Sequence, residues 1–348
     1  MTGPGKSPGL ALDQTEQLVV VHDRDSGLGA AIAIDDSTLG PAIGGIRWRT
    51  YPDEATAITE ARRLARVMTL KSALAGIASG GAKSVVFRPD PVPSGPTRRA
   101  LMEAFGRSVA WLGGRYVPGL DMGTTLDDLR VVATRAPEIC VLEPSEATAV
   151  GLFAGIEAVT RLRWPAGLAK RTVLVQGAGH VGSSLARKLA AAKALVLVSD
   201  VEPERAGRVA ALVDGAVVPP DRVIGHPCDV FAPCAVGRLI DAETAGMLAC
   251  EVIAGAANDV LSHRGAAELL AARGIDYVPD FAINSGGVIA IFAARSGWDE
   301  PRTTAALQGI GEQVREILET ARATKRTPLS IAEDGASSRL GHRVTVPD

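Results

Sequence analysis

The fold is decided in Thr172–Asp200, TVLVQGAGHVGSSLARKLAAAKALVLVSD. Val173–Gln176 and Leu195–Ser199 are short apolar runs with strand character, and Val181–Ala191 between them carries apolar residues at helical spacing. Gly177-Ala178-Gly179-His180-Val181-Gly182 joins the first strand to the helix as GxGxxG, and Asp200 closes the second strand about 20 residues on. Each glycine has a physical task. Gly177 permits the tight turn, Gly179 lets backbone approach a pyrophosphate, and Gly182 lets the helix pack on the strand. The phosphates would rest on the free N–H groups of the helix start. The pattern predicts a dinucleotide site with Gly177, Gly179, His180, Val181 and Gly182 in its loop, the His180 side chain pointing to solvent. Asp200 would accept a hydrogen bond from the adenine-ribose 2′-hydroxyl and, with Glu202, repel a 2′-phosphate, which favours NAD over NADP. Arg205 is the residue placed to offset that repulsion.

Outward from this unit, helix Pro203–Val213 and strands near Val230 and Val252 continue the alternation. Continuous apolar strands between helices predict a doubly wound parallel sheet. Upstream, Leu18–Val21, Gly29–Ile34 and Ala42–Arg47 read as strands. Asp53–Leu70 reads as an amphipathic helix, Ser84–Phe87 as a strand, Arg88–Pro96 as a Pro-rich loop, and Thr97–Leu112 as a second helix. Pro301–Leu340 reads as two further helices. The expected fold is α/β with two domains, an N-terminal mixed α/β substrate domain and a C-terminal Rossmann-like doubly wound domain. Its expected parts are a flexible N-terminus at 1–12, a substrate-binding and catalytic domain at 13–143, an NAD-binding domain at 144–295, and C-terminal helices at 296–348 that return to the first domain. A cleft is expected between the two domains.

Composition narrows the function classes. The 348 residues are 47% hydrophobic and 22% charged, with 37 Lys plus Arg against 39 Asp plus Glu. A net charge of −2 gives no field that would attract nucleic acid or an anionic membrane surface. The most apolar run, Ala147–Ile156, is cut by Gly151 and Gly155 and ended by Glu157, short of a membrane span. Met1–Leu10 lacks the apolar stretch of a signal peptide, so a cytoplasmic protein is expected. Cys140, Cys228, Cys234 and Cys250 show neither CxxC spacing nor a nearby His, which points to free thiols and to no metal site.

Two lysines stand where solubility would not put them. Lys71 ends the first amphipathic helix, and Lys83 follows Gly80-Gly81-Ala82 just before an apolar strand. An ammonium held beside another ammonium in a partly dry cleft loses proton affinity and becomes a base. Two ordinary surface lysines would read the same way. Asp121, in Gly119-Leu120-Asp121-Met122-Gly123, is either a catalytic acid or a turn aspartate bonded to its own backbone.

Seven segments then fall in one order: LGPAIGGIR (Leu39–Arg47), MTLK (Met68–Lys71), GGAK (Gly80–Lys83), DMGT (Asp121–Thr124), PSEATAVG (Pro144–Gly151), GAAN (Gly255–Asn258) and INSGG (Ile283–Gly287). Together they resemble the glutamate/leucine/phenylalanine/valine dehydrogenase family, from Val19 to Leu340, and most nearly its small hydrophobic amino-acid dehydrogenases. The resemblance implies that Lys71 pairs with a substrate carboxylate beside the backbone of Gly44 and Gly45, that Lys83 is the catalytic lysine, and that Asp121 handles the amino group and its protons. It implies that the Asn258 carbonyl faces the substrate near the nicotinamide, that Thr148 holds the carboxamide, and that Asn284 belongs to the cofactor site. The side-chain pocket would fall on Ile43, Leu120, Val288 and Ile291, all apolar, where a glutamate carboxylate would be buried unpaired. Two departures stand out: Arg135–Glu143 is compact where relatives carry a longer Gly-rich loop, and Ala82 stands where close relatives have a third glycine.

The activity so implied is NAD-dependent reversible oxidative deamination of a hydrophobic L-amino acid such as leucine, valine or phenylalanine to its 2-oxo acid, ammonia and NADH, by a homo-oligomer assembled through the first domain. Another two-domain NAD(P) oxidoreductase, of the shikimate or methylene-tetrahydrofolate dehydrogenase type, would not need both lysines together with GAAN. A non-catalytic NAD-binding regulator would not need Lys71, Lys83 and Asp121 intact.

Overall fold

The computed structural model describes residues 15–89, 91–137, 139–235 and 237–346; the expected flexible segment 1–12 lies outside them. The chain forms two compact units. The first contains β1 (Gln17–Asp23), β2 (Leu28–Asp36), β3 (Ala42–Trp48), helix α1 (Glu54–Leu74) up to Thr69, β4 (Gly80–Arg88), α2 (Gly95–Ala110), β5 (Tyr116–Leu120) and α3 (Leu126–Ala133). Its sheet runs β1-β2-β4-β3-β5, with β2 antiparallel to its neighbours β1 and β4 and β3 parallel to both β4 and β5. Alternate side chains leave opposite faces of a strand. Ile32, Ile46 and Val86 therefore pack with Leu101, Met102 and Phe105 of α2 and with Leu129 and Val132 of α3. Ala31, Ala33, Val85 and Phe87 meet Ala57, Ala61 and Ala65 of α1 on the other side. Lys83 lies two residues before Val85 and so stands on the face that α1 covers.

The second unit contains α4 (Ser145–Arg163), β6 (Thr172–Gln176), α5 (His180–Ala191), β7 (Leu195–Ser199), α6 (Pro203–Leu212), β8 (Ala216–Val217), β9 (Val230–Pro233), α7 (Ala242–Met247), β10 (Val252–Ile253), α8 (Gly265–Ala272), β11 (Asp276–Tyr277), α9 (Asp280–Ile283), α10 (Gly286–Arg295), α11 (Glu300–Thr324) and α12 (Pro328–Leu340). Its six strands are parallel in the order β11-β10-β9-β6-β7-β8. Strand order reverses between β6 and β9, and in such sheets ligands bind outside the carboxyl ends of the strands at that reversal. The Rossmann-like doubly wound sheet expected from the sequence is the one observed. Helix α4 packs on α11 and α9 because Gly151 and Gly155 leave room for Ile310 and Ile283, whose side chains would sit within 2.3 and 2.5 Å of an added Cβ.

Three expectations are corrected. The strand around Lys83 begins at Gly80, not Ser84, because Gly80 and Gly81 pair with β3 and Lys83 pairs with Ala33 of β2. The glycines there serve packing: a Cβ on Gly81 would lie 2.0 Å from the Thr69 nitrogen of α1, and one on Gly80 would lie 2.0 Å from the Asp36 carbonyl. Helix α1 continues one turn past Leu70, which places Lys71 inside its last turn. The third concerns domain membership. Leu70–Ala78 and both C-terminal helices group with the second unit, because Arg339 of α12 donates to the Ala73 and Leu74 carbonyls and Gln313 of α11 donates to Leu74.

Candidate active site

In the second unit the glycine loop behaves as its chemistry requires. Gly177 has φ +101°, and its N–H donates to the Ser199 carbonyl at 2.7 Å. A Cβ on Gly182 would stand 1.9 Å from the Gly177 carbonyl oxygen, so helix and strand can meet only with glycine there. Gly179 has nothing within 4 Å of its missing Cβ, which leaves open space where a pyrophosphate would pass. His180 and Val181 start α5, and the His180 side chain is exposed as expected. Asp200, at the carboxyl end of β7, accepts from the Ala178 N–H at 2.7 Å and from the Glu202 N–H at 2.9 Å. Arg205 lies 3.5 Å from Asp200 and also pairs with Glu202. Gln176 Oε1 and Ser199 Oγ, at the ends of β6 and β7, are buried without hydrogen-bond partners. Open space, free helix-start N–H groups and unmatched polar atoms at the reversal point fit a dinucleotide.

A second cluster in the same unit joins three sequence-distant residues. Lys71 Nζ, buried, donates to Asn258 Oδ1 at 2.7 Å, and Asn284 Nδ2 donates to the same oxygen at 3.0 Å and to the Ala256 carbonyl at 3.0 Å. Asn284 Oδ1 is buried with no partner. Thr148 lies against the start of α10, where a Cβ on Gly286 would approach its Cα to 2.9 Å and one on Gly287 its hydroxyl to 2.9 Å. Asp280 is buried nearby, accepting from the Asp259 N–H and from the Tyr277 hydroxyl; burial raises its carboxyl above the usual range while the Lys71 charge opposes that. Nothing in the local sequence singles out Asp280.

The first unit holds the other candidate pair. Lys83 Nζ sits 2.5 Å from Asp121 Oδ2, both largely buried. The close approach depends on Gly45, whose Cβ would lie 2.7 Å from the Asp121 Cβ, and on Gly44, whose Cβ would lie 1.7 Å from the Ala82 carbonyl. The Tyr116 hydroxyl donates to the Gly44 carbonyl at 3.0 Å. The cation that lowers Lys83 is the guanidinium of Arg47, where the sequence suggested a second ammonium; Arg47 closes the LGPAIGGIR segment, which assigned it no role. Burial is the largest effect lowering Lys83, the Arg47 guanidinium adds to it, and Asp121 opposes both. For Asp121, burial pushes upward, but the Lys83 ammonium and Arg47 guanidinium outweigh it and hold the carboxyl well below the usual range. Arg47 Nε donates to Asp121 at 2.9 Å and its Nη1 to Glu60 at 2.8 Å.

Of the expected pocket residues, Ile43 is buried on β3 and Leu120 is half-buried at the end of β5; Val288 and Ile291 are buried three residues apart on α10. Cys228, Cys234 and Cys250 are free thiols, and burial pushes all three up to about 12, so they stay protonated. Among the described residues no helix is long and apolar enough to cross a membrane.

Comparison with known proteins now bears on the whole chain. Residues 15–137 match the Glu/Leu/Phe/Val dehydrogenase dimerisation domain, and residues 198–332 match the Glutamate/Leucine/Phenylalanine/Valine dehydrogenase domain. The chain is 36% identical over 316 residues to leucine dehydrogenase of Thermoactinomyces intermedius, covering 88% of this chain and 86% of that protein. It is 37% identical to valine dehydrogenase of Streptomyces albus over 342 residues, 93% of this chain and 92% of that one. This chain belongs to the Glu/Leu/Phe/Val dehydrogenase family. The crystal structure of L-tryptophan dehydrogenase from Nostoc punctiforme superposes with a TM-score of 0.78 at 34% identity, covering 94% of this chain and 96% of that one.

Proposed function

We propose that this family member catalyses the NAD-dependent, reversible oxidative deamination of a hydrophobic L-amino acid. Amino acid, NAD and water give 2-oxo acid, ammonium and NADH with release of a proton. The observation that carries the reading is the buried Lys83–Asp121 pair, a base and an anion held in contact away from solvent. NAD, when bound, supplies the acceptor for the hydride leaving the α-carbon, and the Gly177–Gly182 loop and Asp200 are the groups to hold its pyrophosphate and ribose. Thr148 and the unmatched Asn284 Oδ1 suit its carboxamide. Lys71, fixed by Asn258, pairs with the substrate carboxylate and so sets which face is presented. Lys83 in its neutral form takes the proton from the water that adds to the imine carbon. Asp121 rests as an anion, because Arg47 remains charged when Lys83 is not, and relays protons at the amine by taking one up and giving it on in turn.

Ile43, Leu120, Val288 and Ile291 support an aliphatic or aromatic side chain and oppose glutamate. The named relatives act on leucine, valine and tryptophan, which keeps all three in the candidate set beside phenylalanine. The dimerisation domain matched at residues 15–137 supports a homo-oligomer built through the first unit. The free thiols fit a reducing compartment, the cytoplasm. The decisive assay supplies ammonium, NADH and the 2-oxo acids of leucine, valine, phenylalanine, tryptophan and glutamate. Ammonium-dependent oxidation of NADH with the first four but not 2-oxoglutarate is expected, and Lys83→Ala is expected to remove it by at least about 1000-fold while NADH still binds. Near-normal kcat in Lys83→Ala would take Lys83 out of the mechanism.

A further inference from the structure

Five charged side chains in the first unit form a line of alternating sign. Arg63 Nη2 lies 2.7 Å from Glu60 Oε2, Glu60 Oε1 lies 2.8 Å from Arg47 Nη1, Arg47 Nε lies 2.9 Å from Asp121 Oδ2, and that same oxygen lies 2.5 Å from Lys83 Nζ. The five side chains range from 5% to 18% exposed, so solvent screens them weakly. Two come from α1, one from β3, one from the end of β5 and one from β4. With Lys83 protonated these five groups carry a net charge of +1; with Lys83 neutral they balance.

We propose that Arg47, seated by Glu60, is the positioning residue of the Lys83–Asp121 pair: its guanidinium holds the carboxylate from one side so that the lysine can release its proton on the other. The inference rests on Lys83 acting as the base. Removing charge at the two ends of the Arg47 contact then has opposite consequences. Without Glu60, the positive charge of Arg47 acts on Lys83 undiminished, and the ammonium is harder to keep. Without Arg47, Asp121 is left to Lys83 alone, and the ammonium is easier to keep. The directions found for Lys83 agree, Arg47 lowering its proton affinity and Glu60 raising it. The remaining groups around the pair do not reverse this. Tyr51 is pushed up to about 12 by burial and Glu60, Tyr116 is raised further by burial, and Arg49 stands over the Tyr51 ring at 5.3 Å.

The test is the pH profile of kcat for L-leucine oxidation with NAD, which should rise with pH as the base loses its proton. Glu60→Gln, which keeps hydrogen-bonding capacity, should move the rising limb about half a unit to lower pH. Arg47→Met should move it about one unit to higher pH. Arg47→Lys, which keeps the charge but not the forked contact, should fall between Arg47→Met and the unchanged protein. NADH binding and thermal melting establish which variants are folded. Opposite shifts in folded variants support the proposal; shifts of the same sign, or none, overturn it. If Arg47→Met does not fold, Glu60→Gln and Arg47→Lys decide alone, and an unmoved limb in Glu60→Gln overturns the proposal. A fully active Lys83→Ala control would instead defeat the lysine-base reading itself.

Discussion

Asp200 shows how much a single side chain must serve. Its carboxylate secures the glycine loop through the Ala178 N–H and turns the chain into α6 through the Glu202 N–H. Each carboxylate oxygen keeps a further lone pair, so a ribose hydroxyl can still be accepted. Arg205 was the sequence feature most able to favour NADP, and it is held by two acids, Asp200 and Glu202. A preference for NAD of about 100-fold, roughly 2.8 kcal/mol, is therefore expected from kcat/KM measured with both cofactors. Asp200→Ser alone should weaken NAD use with only a small gain for NADP, since Glu202 still engages Arg205. Asp200→Ser with Glu202→Gln should gain more, because the guanidinium is then free for a 2′-phosphate. Equal kcat/KM for the two cofactors in the unmodified protein would remove Asp200 from the ribose.

At the level of the element, the glycine loop makes a prediction that distinguishes folding from binding. Gly179 has an ordinary φ of −70° and open space around it, whereas the Cβ position of Gly182 is filled by the Gly177 carbonyl. Gly179→Ala should melt within about a degree of the parent yet bind NADH at least tenfold more weakly. Gly182→Ala should lose roughly 2–4 kcal/mol of stability, since β6 and α5 must separate. Equal NADH affinity in Gly179→Ala would mean that the pyrophosphate does not pass there. The same loop was legible in sequence because its strand, glycines, helix and acid lie within Thr172–Asp200, and periodicity located β6, α5 and β7 nearly to the residue. Legibility failed where partners are far apart in sequence. Arg47 meets Asp121 across 74 positions because β3 and β5 pair in parallel, and Lys71 meets Asn258 across 187. Strands β8 and β11, two residues each, are too short to show any period. Gly80 and Gly81 read in sequence as lying just ahead of the strand, but they are strand residues made small by the backbone of α1 and of the β2 end.

For the molecule as a whole, the notable feature is that the second unit borrows a piece of the N-terminal sequence. Leu70–Ala78, which carries Lys71, belongs with Leu142–Val346 rather than with the strands on either side of it in sequence. What keeps it there is the far end of the chain. Arg339 donates to the Ala73 and Leu74 carbonyls at 2.7 Å each, and Gln313 donates to Leu74 at 2.5 Å, so α12 and α11 together satisfy the last carbonyls of α1. Gly76, with φ +68°, turns the chain beneath that arginine, where a Cβ would meet Nη1 at 2.9 Å. Arg339→Ala should thus cost about 1.5–3 kcal/mol, the range for hydrogen bonds from a charged donor, and lower the melting temperature by several degrees. Its effect on catalysis should be uneven. Fraying of the last turn of α1 releases Lys71 from Asn258, so KM for the amino acid and the 2-oxo acid should rise several-fold while NADH affinity holds, because the glycine loop shares no contact with Arg339. Amide exchange across residues 71–76, followed together with KM, checks both halves of the expectation. If exchange there quickens and KM does not move, Lys71 is not the partner of the substrate carboxylate.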